Sequence, residues 1–356
     1  MFKAAGEVAA KQAQTRLTGA ATSIHGVFAV NKPPGISCAG VLDYLKRSIV
    51  RGTESMPFSE HFERERSLRS ATPVHKKKSR RKFLISSIRA GHGGTLDVEA
   101  GGVLVVGING GCKMLSEYLI GGKSYLATGR LGVATESFDA EGRVTRVCSV
   151  DSATGSTIQQ AIPRFIGDIM QRPPVFSAIK IDGKRLYEYA REGEHPPVEI
   201  KARRVSVADI RLLYYENHEA GEKFGRQVLL PPAFARYYAE GIYAWNSDLG
   251  ALTDAAIGQP LRGWANQPQA PNFQLLISSG GGVYVRSLIH DLGEAVGSAA
   301  TMISLVRMSQ GPLRLGRDTI EPEDLAHVDR VSEAVRHAHS ILGQNDLAST
   351  LLPKPF

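Results

Sequence analysis

The chain has 356 residues, of which 42% are hydrophobic, and this is enough for one large domain or two small ones. The 43 basic residues outnumber 35 acidic ones, and the formal charge of +8 favours a polyanionic partner such as nucleic acid, with a membrane surface as the alternative. The apolar run Val103 to Ile108 is far shorter than the roughly 18 residues of a membrane-spanning helix. Three distant cysteines, Cys38, Cys112 and Cys148, lack CxxC spacing, so we expect a soluble protein of a reducing compartment without a zinc site.

The N-terminal region divides into a tail and the first regular elements. Residues 1–24 contain one acid, several basic residues and many Ser, Thr, Ala and Gln, a composition typical of a mitochondrial transit peptide and equally of a disordered tail. The segment GVFAVNKPPGIS predicts a strand over Gly26–Asn31 and a tight turn at Pro33–Gly35. Ser37 is the predicted N-cap of a helix with apolar side chains at helical spacing, namely Val41, Leu42, Leu45 and Ile49.

Two segments interrupt this regular pattern. Residues 51–88 have few aliphatic side chains, no sustained periodicity and charges of both signs, which predicts a mobile insertion. Within it, residues 76–82 (KKKSRRK) hold six cations, a density typical of a nuclear-import signal or a phosphate-binding patch, with a solvated loop as the third alternative. Residues 216–271 predict a second insertion, because they contain the Gly/Pro-rich GQPLRGWANQPQAPN and the aromatic cluster FARYYAEGIYAW.

The stretch AGHGGTLDVEAGGVLVVGI, residues 90–108, surrounds one aspartate, Asp97, with glycines. The nearby GGKS at 121–124 ends like a phosphate-binding loop, but that motif requires a glycine where Glu117 stands. The glycine spacing of GHGGTLD does not fit a dinucleotide fingerprint, and HExxH and GxSxG patterns do not occur in the sequence. These patterns leave a carboxylate on a loop as the candidate reactive group.

Six blocks in order are similar to the TruB-type tRNA pseudouridine synthases, above all their fungal and other eukaryotic members. They are VFAVNKPPGIS, GHGGTLD, CKMLSEYLIGGKSYLATGRLGVATESFDAEG, QRPPVFSAIKIDGKRLYEYAREG, SSGGGVYVRSLIHDLGEAVG and MISLVRMSQG. The resemblance implies an α/β (α+β) catalytic domain over 25–326, with a mixed, largely antiparallel central sheet, flanking helices and an RNA-binding cleft. It implies no cofactor, and a C-terminal extension over 327–356 in place of the bacterial relatives' extra RNA-binding domain.

The resemblance also assigns the catalytic residues. Isomerisation of uridine breaks the C1′–N1 bond, rotates the base and joins C1′ to C5, for which Asp97 supplies a carboxylate as nucleophile at C1′ or base at C2′. Tyr125 resembles the tyrosine that stacks on the flipped base, and Arg286 the arginine that pairs with the catalytic aspartate. From the residues alone, the alternative for Asp97 is a turn residue, and the alternative for Tyr125 is a core tyrosine of a strand.

Further residues are assigned to substrate binding by position in the matching blocks. Alternation in VYVRS places Tyr284 on the same strand face as Arg286, and Tyr284 and Leu305 resemble walls of the pocket, with core packing as the alternative. His92 resembles the histidine that helps displace the target base. Asp139 is expected to organise the periphery of the active site, with a simple turn role as the alternative.

Three lysines, Lys32, Lys113 and Lys180, are positioned by motif to contact RNA or to brace the loop, and a solvated surface role is the alternative for each. Gly91, Gly93 and Gly94 are expected to let the backbone approach the RNA. The family usually continues LD with PLA, whereas this chain has Val98–Glu99, and we expect Glu99 to point outward.

The implied substrate is tRNA, at the T-arm uridine of conventional position 55, and mRNA sites of similar shape are plausible further substrates. Neither a membrane nor an obligate protein partner is indicated, and the expected compartments are nucleus and mitochondrion, with the cytoplasm as a further one. Two other functions stay open. One is a catalytically weak tRNA-folding factor, supported by the altered DVEAGG segment, and the other is a nucleotide-hydrolysing enzyme built on GGKS.

Overall fold

The computed structural model describes residues 23–51, 56–70, 88–217, 221–225, 257–259, 261 and 271–344. Its strands are β1 (Gly26–Lys32), β2 (Ala90–His92), β3 (Gly101–Ile108), β4 (Lys123–Leu131), β5 (Val133–Thr135), β6 (Val144–Val147), β7 (Gly167–Gln171), β8 (Lys180–Ile181), β9 (Lys184–Arg185), β10 (Arg203–Asn217), β11 (Glu222–Gly225), β12 (Asn272–Ser279), β13 (Ala300–Gln310), β14 (Leu313–Arg314) and β15 (Thr319–Ile320). Its α-helices are α1 (Cys38–Arg51), α2 (Phe58–Ser70), α3 (Leu115–Ile120), α4 (Gly155–Ala161), α5 (Leu186–Glu192), α6 (Val285–Ala295) and α7 (Val328–Gln344). Short 3₁₀ helices cover Asn109–Met114, Ile162–Phe165 and Pro322–Ala326.

The chain divides into two compact units. The first comprises residues 1–123 together with 306–356, and the second comprises residues 124–305. The division falls inside β4 and β13, so the first unit is built from the two ends of the chain.

The first unit holds a mixed sheet in the order β13-β3-β1-β15, with β2 paired to β3 and β14 to β13. Strands β1 and β3 are antiparallel, whereas β1 with β15 and β3 with β13 are parallel. Side chains at alternate positions of β1 and β3 lie on one face and form the core with α3 and α7. This core consists of Val27, Ala29, Val103, Val105, Tyr118, Leu313 and Ala338. The predicted first strand is confirmed.

The helix predicted after Ser37 is also confirmed. The Ser37 hydroxyl accepts a hydrogen bond from the backbone N–H of Gly40 at 3.0 Å, as expected of an N-cap. The segment predicted as a mobile insertion, residues 51–88, contains a regular helix, α2, of 13 residues. Two aromatic residues one turn apart, Phe58 and Phe62, are buried there, and Phe58 packs edge-on against Tyr44 of α1. Aromatic burial thus supplies the apolar face that aliphatic residues usually provide.

The second unit holds strands in the order β11-β10-β12-β4, with β7 also paired to β10. The long strand β10 is antiparallel to β7, β11 and β12. Two hairpins, β5–β6 and β8–β9, stand apart from this sheet. Predominantly antiparallel pairing with a few parallel strands and flanking helices confirms the predicted α/β fold class.

None of the described helices combines the length and the apolar character that crossing a membrane requires. Residues 1–22 of the predicted tail (1–24), the basic run at 76–82 and most of the predicted second insertion lie outside the described residues.

Candidate active site

Asp97 lies on the loop that joins β2 to β3 in the first unit, and its side chain is partly exposed. Its backbone carbonyl accepts a hydrogen bond from the Ala100 N–H at 3.2 Å. Asp97 therefore opens a tight turn while its side chain stays accessible. The turn role proposed as the alternative therefore describes the backbone of Asp97.

Lys32 binds the backbone of this loop through its buried side chain. Its side chain is fully buried, and its ammonium group donates hydrogen bonds to the carbonyl oxygens of Pro33, Val98 and Ala100 at 3.0, 3.1 and 2.6 Å. The Val98 carbonyl also accepts the Gly35 N–H at 2.8 Å. Of the alternatives for Lys32, the structure supports bracing of the loop, because a buried lysine with three carbonyl partners is not a solvated surface residue.

Burial lowers the pKa of the Lys32 ammonium from 10.5 to about 8. The negative charges of Glu99 and Asp97 act in the opposite direction and favour the charged lysine, whereas Arg307 disfavours it. A buried cation therefore stands within electrostatic reach of Asp97. Its desolvation is only partly offset by these neighbours.

Lys32 should make the stability of the protein depend on alkaline pH. Its pKa is 10.5 in the unfolded chain and about 8 in the folded protein, so between these values the unfolded state binds more protons and stability rises with pH. The difference between the two pKa values corresponds to about 3 kcal/mol of unfolding free energy. In urea unfolding experiments, the free energy of unfolding of wild type should therefore rise by about this amount relative to that of Lys32→Met between pH 7.5 and 10.5.

The comparison with Lys32→Met removes the contribution of every other titrating group, including Lys123. Replacement of the exposed Lys201 by methionine is the matched control and should give a curve parallel to wild type. Parallel curves for Lys32→Met as well would show that the ammonium titrates normally.

The upstream half of the loop is held by side chains from β13. Arg307, 1% exposed, donates to the carbonyl oxygens of Val103 at 2.6 Å and Gly94 at 3.2 Å. Gln310, fully buried, donates to the carbonyl oxygen of Gly93 at 2.5 Å. Sequence reasoning missed both residues, because they are about 200 positions from the loop and belong to a strand that looks like ordinary core sequence.

Cys38 provides a third anchor, also missed from the sequence. Its buried thiol donates to the carbonyl oxygen of Leu96 at 3.4 Å and accepts the Leu96 N–H at 3.2 Å. Leu96 directly precedes Asp97. Backbone groups on both sides of the aspartate are therefore bound to buried side chains.

The glycines of this loop have an internal reason that differs from the expected approach to RNA. A Cβ added to Gly93 would lie 2.6 Å from the Cβ of Tyr118, a distance that real structures do not tolerate. Gly94 adopts a φ of +148°, and a Cβ there would lie 3.2 Å from Gln310 Nε2. A Cβ on Gly91 would lie 3.0 Å from Leu115. Close packing against α3 and Gln310 therefore accounts for these glycines.

Glu99 differs from the expectation that it points outward. One of its carboxylate oxygens is buried, and its charge acts on Lys32. The buried ammonium supplies the physical reason, since an anion two residues after Asp97 gains from facing it.

The GGKS segment does not have the geometry of a phosphate-binding loop. Such a loop joins a strand to the helix that follows it, whereas here GGKS follows α3 and opens β4. The Lys123 ammonium donates to the carbonyl oxygens of Tyr118, Leu119 and Gly121 at 2.9, 3.0 and 2.6 Å. Burial lowers its pKa to about 8. Lys123 therefore caps the C-terminus of α3, which removes the basis of the nucleotide-hydrolase alternative.

In the second unit, Arg286 and Asp139 come together. The Arg286 side chain is almost fully buried, and its Nη1 lies 3.4 Å from Asp139 Oδ2. Arg286 also donates to the carbonyl oxygens of Ser137 at 2.8 Å and Phe176 at 2.9 Å. Asp139 accepts the Ser137 hydroxyl at 2.5 Å and the Glu141 N–H at 3.1 Å. Asp139 is thus both a turn aspartate and the partner of a buried arginine.

The same helix holds this turn at a second point. His290 follows Arg286 by one turn of α6, and its ring stacks on Phe138 with centroids 4.0 Å apart and planes at 16°. Phe138 has a φ of +63°, a left-handed conformation that is strained for an aromatic residue. Burial lowers the pKa of His290, which favours the neutral ring in the stack. Arg286 and His290 therefore hold the Ser137–Asp139 segment between them.

The prediction that Tyr284 and Arg286 share a strand face is wrong. Tyr284 is the N-cap residue of α6, and Arg286 lies in the first turn of that helix. The β-branched and aromatic side chains of VYVRS favour a strand, but Val285, Leu288, Ile289 and Leu292 recur at helical spacing and are buried. The Tyr284 ring lies 5.3 Å from the Arg203 guanidinium, and the backbone N–H of Tyr284 donates to Gln171 Oε1 at 2.8 Å.

The other predicted residues are placed as follows. Tyr125 is buried on β4 and Leu305 is buried on β13. Lys113 and Lys180 are exposed, as contact with RNA requires, and His92 is partly exposed at the end of β2. The first unit carries Lys32, His92, Asp97 and Lys113, and the second carries Tyr125, Asp139, Lys180, Tyr284, Arg286 and Leu305. The pairing of Asp97 with Arg286 stays a prediction.

Known proteins similar to this chain were found by sequence. The family model for the TruB family pseudouridylate synthase (N terminal domain) matches residues 80–225. Pseudouridylate synthase TRUB1 of Homo sapiens is 34% identical over 320 residues, which are 90% of this chain and 70% of that protein. tRNA pseudouridine synthase 4 of Schizosaccharomyces pombe is 34% identical over 338 residues, covering 82% of this chain and 79% of that protein. The protein of the same name from Saccharomyces cerevisiae is 30% identical, covering 83% and 79%.

Solved structures give a weaker match. A Cbf5-Nop10-Gar1 complex aligns with a TM-score of 0.47 and 20% identity over 90% of this chain, which spans 64% of the length of the matched chain.

Proposed function

This chain belongs to the TruB family of pseudouridine synthases, and we propose that it forms pseudouridine at the T-arm uridine of tRNA, at conventional position 55. Isomerisation of uridine to pseudouridine in tRNA is the activity that the names of its relatives support. The T-arm site and similar mRNA sites are the finer part of the proposal. They rest on the resemblance of the sequence blocks to family members that act there.

The observation that carries the proposal is the anchoring of the Asp97 loop. Cys38 binds the backbone of Leu96, and Lys32 binds the carbonyl groups of Val98 and Ala100, while Asp97 between them is partly exposed. A reactive group needs a fixed position before substrate arrives, and buried side chains that bind the flanking backbone provide it. We infer that Asp97 is the catalytic aspartate.

The chemistry requires a carboxylate at the sugar of a uridine that has left the base stack. Asp97 acts either as the nucleophile at C1′ or as the base at C2′, and both routes use its ionised form. We propose that Tyr125 stacks on the extruded base and that Arg286 is the arginine that pairs with the catalytic aspartate and keeps it ionised, as their positions in the family motifs imply. The exposed Lys113 and Lys180 are proposed to contact RNA phosphates.

The alternative of a catalytically weak tRNA-folding factor depended on the altered DVEAGG segment. In the structure, Lys32 holds that segment through backbone carbonyl groups. The acceptors of these bonds are backbone carbonyl groups, which a proline at position 98 would provide as well. The loss of the family's proline therefore leaves the anchoring of Asp97 in place.

The proposal is tested by incubating the full chain with an unmodified tRNA transcript and mapping pseudouridine at single-nucleotide resolution. Pseudouridine at position 55 is the expected result. Product at another uridine would contradict the proposed site, and stoichiometric tRNA binding without product would favour the folding factor.

The basic run at 76–82 is proposed to contact RNA phosphates away from the reacting uridine. Neutralising its six cations should weaken tRNA binding without changing the modified position, because phosphate contacts carry no base information. If two or three of these cations bind phosphates, the plot of log affinity against log salt should flatten by roughly two to three units in the variant. Binding of wild type and variant across a salt series measures this.

We also propose that the chain works in the nucleus and the mitochondrion, from the basic run and the composition of residues 1–24. If the run is an import signal alone, the purified variant keeps the wild-type affinity and salt slope and fails to enter the nucleus. Equal slopes would thus contradict the RNA contact, and only loss of nuclear entry by the variant would support the import role.

A further inference from the structure

Helices α1 and α2 carry one histidine and two carboxylates away from the groups described above. Asp43 lies on α1, whereas His61 and Glu65 are four residues apart on α2 and therefore share one face. One potential ligand atom of each residue lies within 4.8 Å of the other two. All three positions precede residues 80–225, which match the family model.

The tautomer of His61 is fixed by its surroundings. The residue is 4% exposed, and its Nε2 lies 3.0 Å from the carbonyl oxygen of Gly40. Because a carbonyl oxygen only accepts, Nε2 of the neutral ring carries the proton and Nδ1 keeps its lone pair. Metal-binding histidines almost always donate their other ring N–H in this way. Tyr44 and Phe58 pack on the ring at 5.2 and 6.4 Å and fix its orientation.

We propose that Asp43, His61 and Glu65 form a binding site for a divalent transition metal, best suited to Zn²⁺, with water completing the coordination. One imidazole nitrogen and two carboxylate oxygens suit zinc, whereas Mg²⁺ prefers oxygen ligands throughout. Two carboxylates also neutralise the charge of the ion. Tetrahedral zinc spaces its ligand atoms about 3.4 Å apart, so the partly exposed carboxylates need to close by about 1 Å around the fixed imidazole.

Arg47 competes with the metal for one ligand. Its Nε lies 2.7 Å from Asp43 Oδ2, and both side chains are about one-third exposed, at 35% and 36%. An exposed pair of this kind is weak, so a metal ion can displace the arginine. The site therefore makes an unusual prediction, namely that removal of a cation next to it increases the affinity for another cation.

The test uses the full chain, freed of metal with EDTA, desalted and titrated with ZnCl₂ by calorimetry. Glu65→Gln should weaken Zn²⁺ binding at least about tenfold, whereas Arg47→Met should tighten it about threefold. Glu63→Gln is the matched control, because Glu63 lies exposed on the same helix outside the cluster. MgCl₂ should bind far more weakly than ZnCl₂.

Glu65→His replaces one ligand by another and shows whether position 65 acts through coordination. Retained Zn²⁺ binding in Glu65→His together with its loss in Glu65→Gln supports the site. Binding that is lost in both variants, or in neither, overturns the proposal. The same holds if Glu65→Gln and Glu63→Gln give identical titrations, since the zinc then binds other histidines or cysteines of the chain.

Discussion

Asp97→Asn should reduce pseudouridine formation by about a thousandfold or more while tRNA binding stays within about threefold of wild type. The amide keeps the shape of the side chain and removes the charge that both chemical routes need. The turn of the loop should survive, because Ala100 donates to the backbone carbonyl of Asp97, which the substitution does not change. Single-turnover kinetics with a tRNA transcript and a filter-binding assay measure the two quantities.

Glu99→Gln is the matched control for this variant. Glu99 and Asp97 both act on the charge of Lys32, so an electrostatic effect on that buried ammonium would appear in both variants. We expect Glu99→Gln to keep turnover within about tenfold of wild type. If the two variants lose activity equally, Asp97 supports Lys32 and does not react with the sugar.

The sequence predicts the local elements of this site better than the long-range bonds that hold it. The strand from Gly26 and the helix capped by Ser37 follow from periodicity and capping, which are properties of neighbouring residues. The anchors of the Asp97 loop come from distant parts of the chain. Arg307 and Gln310 reach it from a strand about 200 residues later, and spacing within the chain does not encode that approach.

The burial of charged residues is the second feature that the sequence does not predict. Lysine is almost always exposed, so a solvated role was a reasonable alternative for Lys32, and a phosphate-binding role for Lys123. Each instead donates to three backbone carbonyl groups, an arrangement that the fold creates. Local propensity also gives the wrong element at the start of α6. The segment VYVRS has strand propensity, but it forms a helix because this buries the apolar face of α6.

Arg286→Leu should destabilise the second unit by about 3–5 kcal/mol and strongly reduce turnover. The guanidinium is buried at the N-terminal turn of α6, where the helix dipole disfavours a cation, so its environment must supply the stabilisation. It does so through Asp139 and the carbonyl groups of Ser137 and Phe176. Leucine leaves a partly buried carboxylate and two carbonyl groups without this donor. Urea unfolding and tRNA turnover measure the two losses.

Arg204→Leu is the control for stability. Arg204 also pairs with an aspartate, Asp168 at 2.6 Å, but its side chain is 75% exposed, and such pairs contribute at most about 1 kcal/mol. Arg286→Lys separates stability from catalysis, because lysine keeps the charge and loses the planar fork that holds two carbonyl groups at once. The assay uses conditions in which Arg286→Lys is fully folded. If this variant then turns over tRNA at the wild-type rate, Arg286 supports only the fold. If Arg286→Lys and Asp139→Asn each lower the rate and the double variant loses no more than either single variant, the two residues act as one unit.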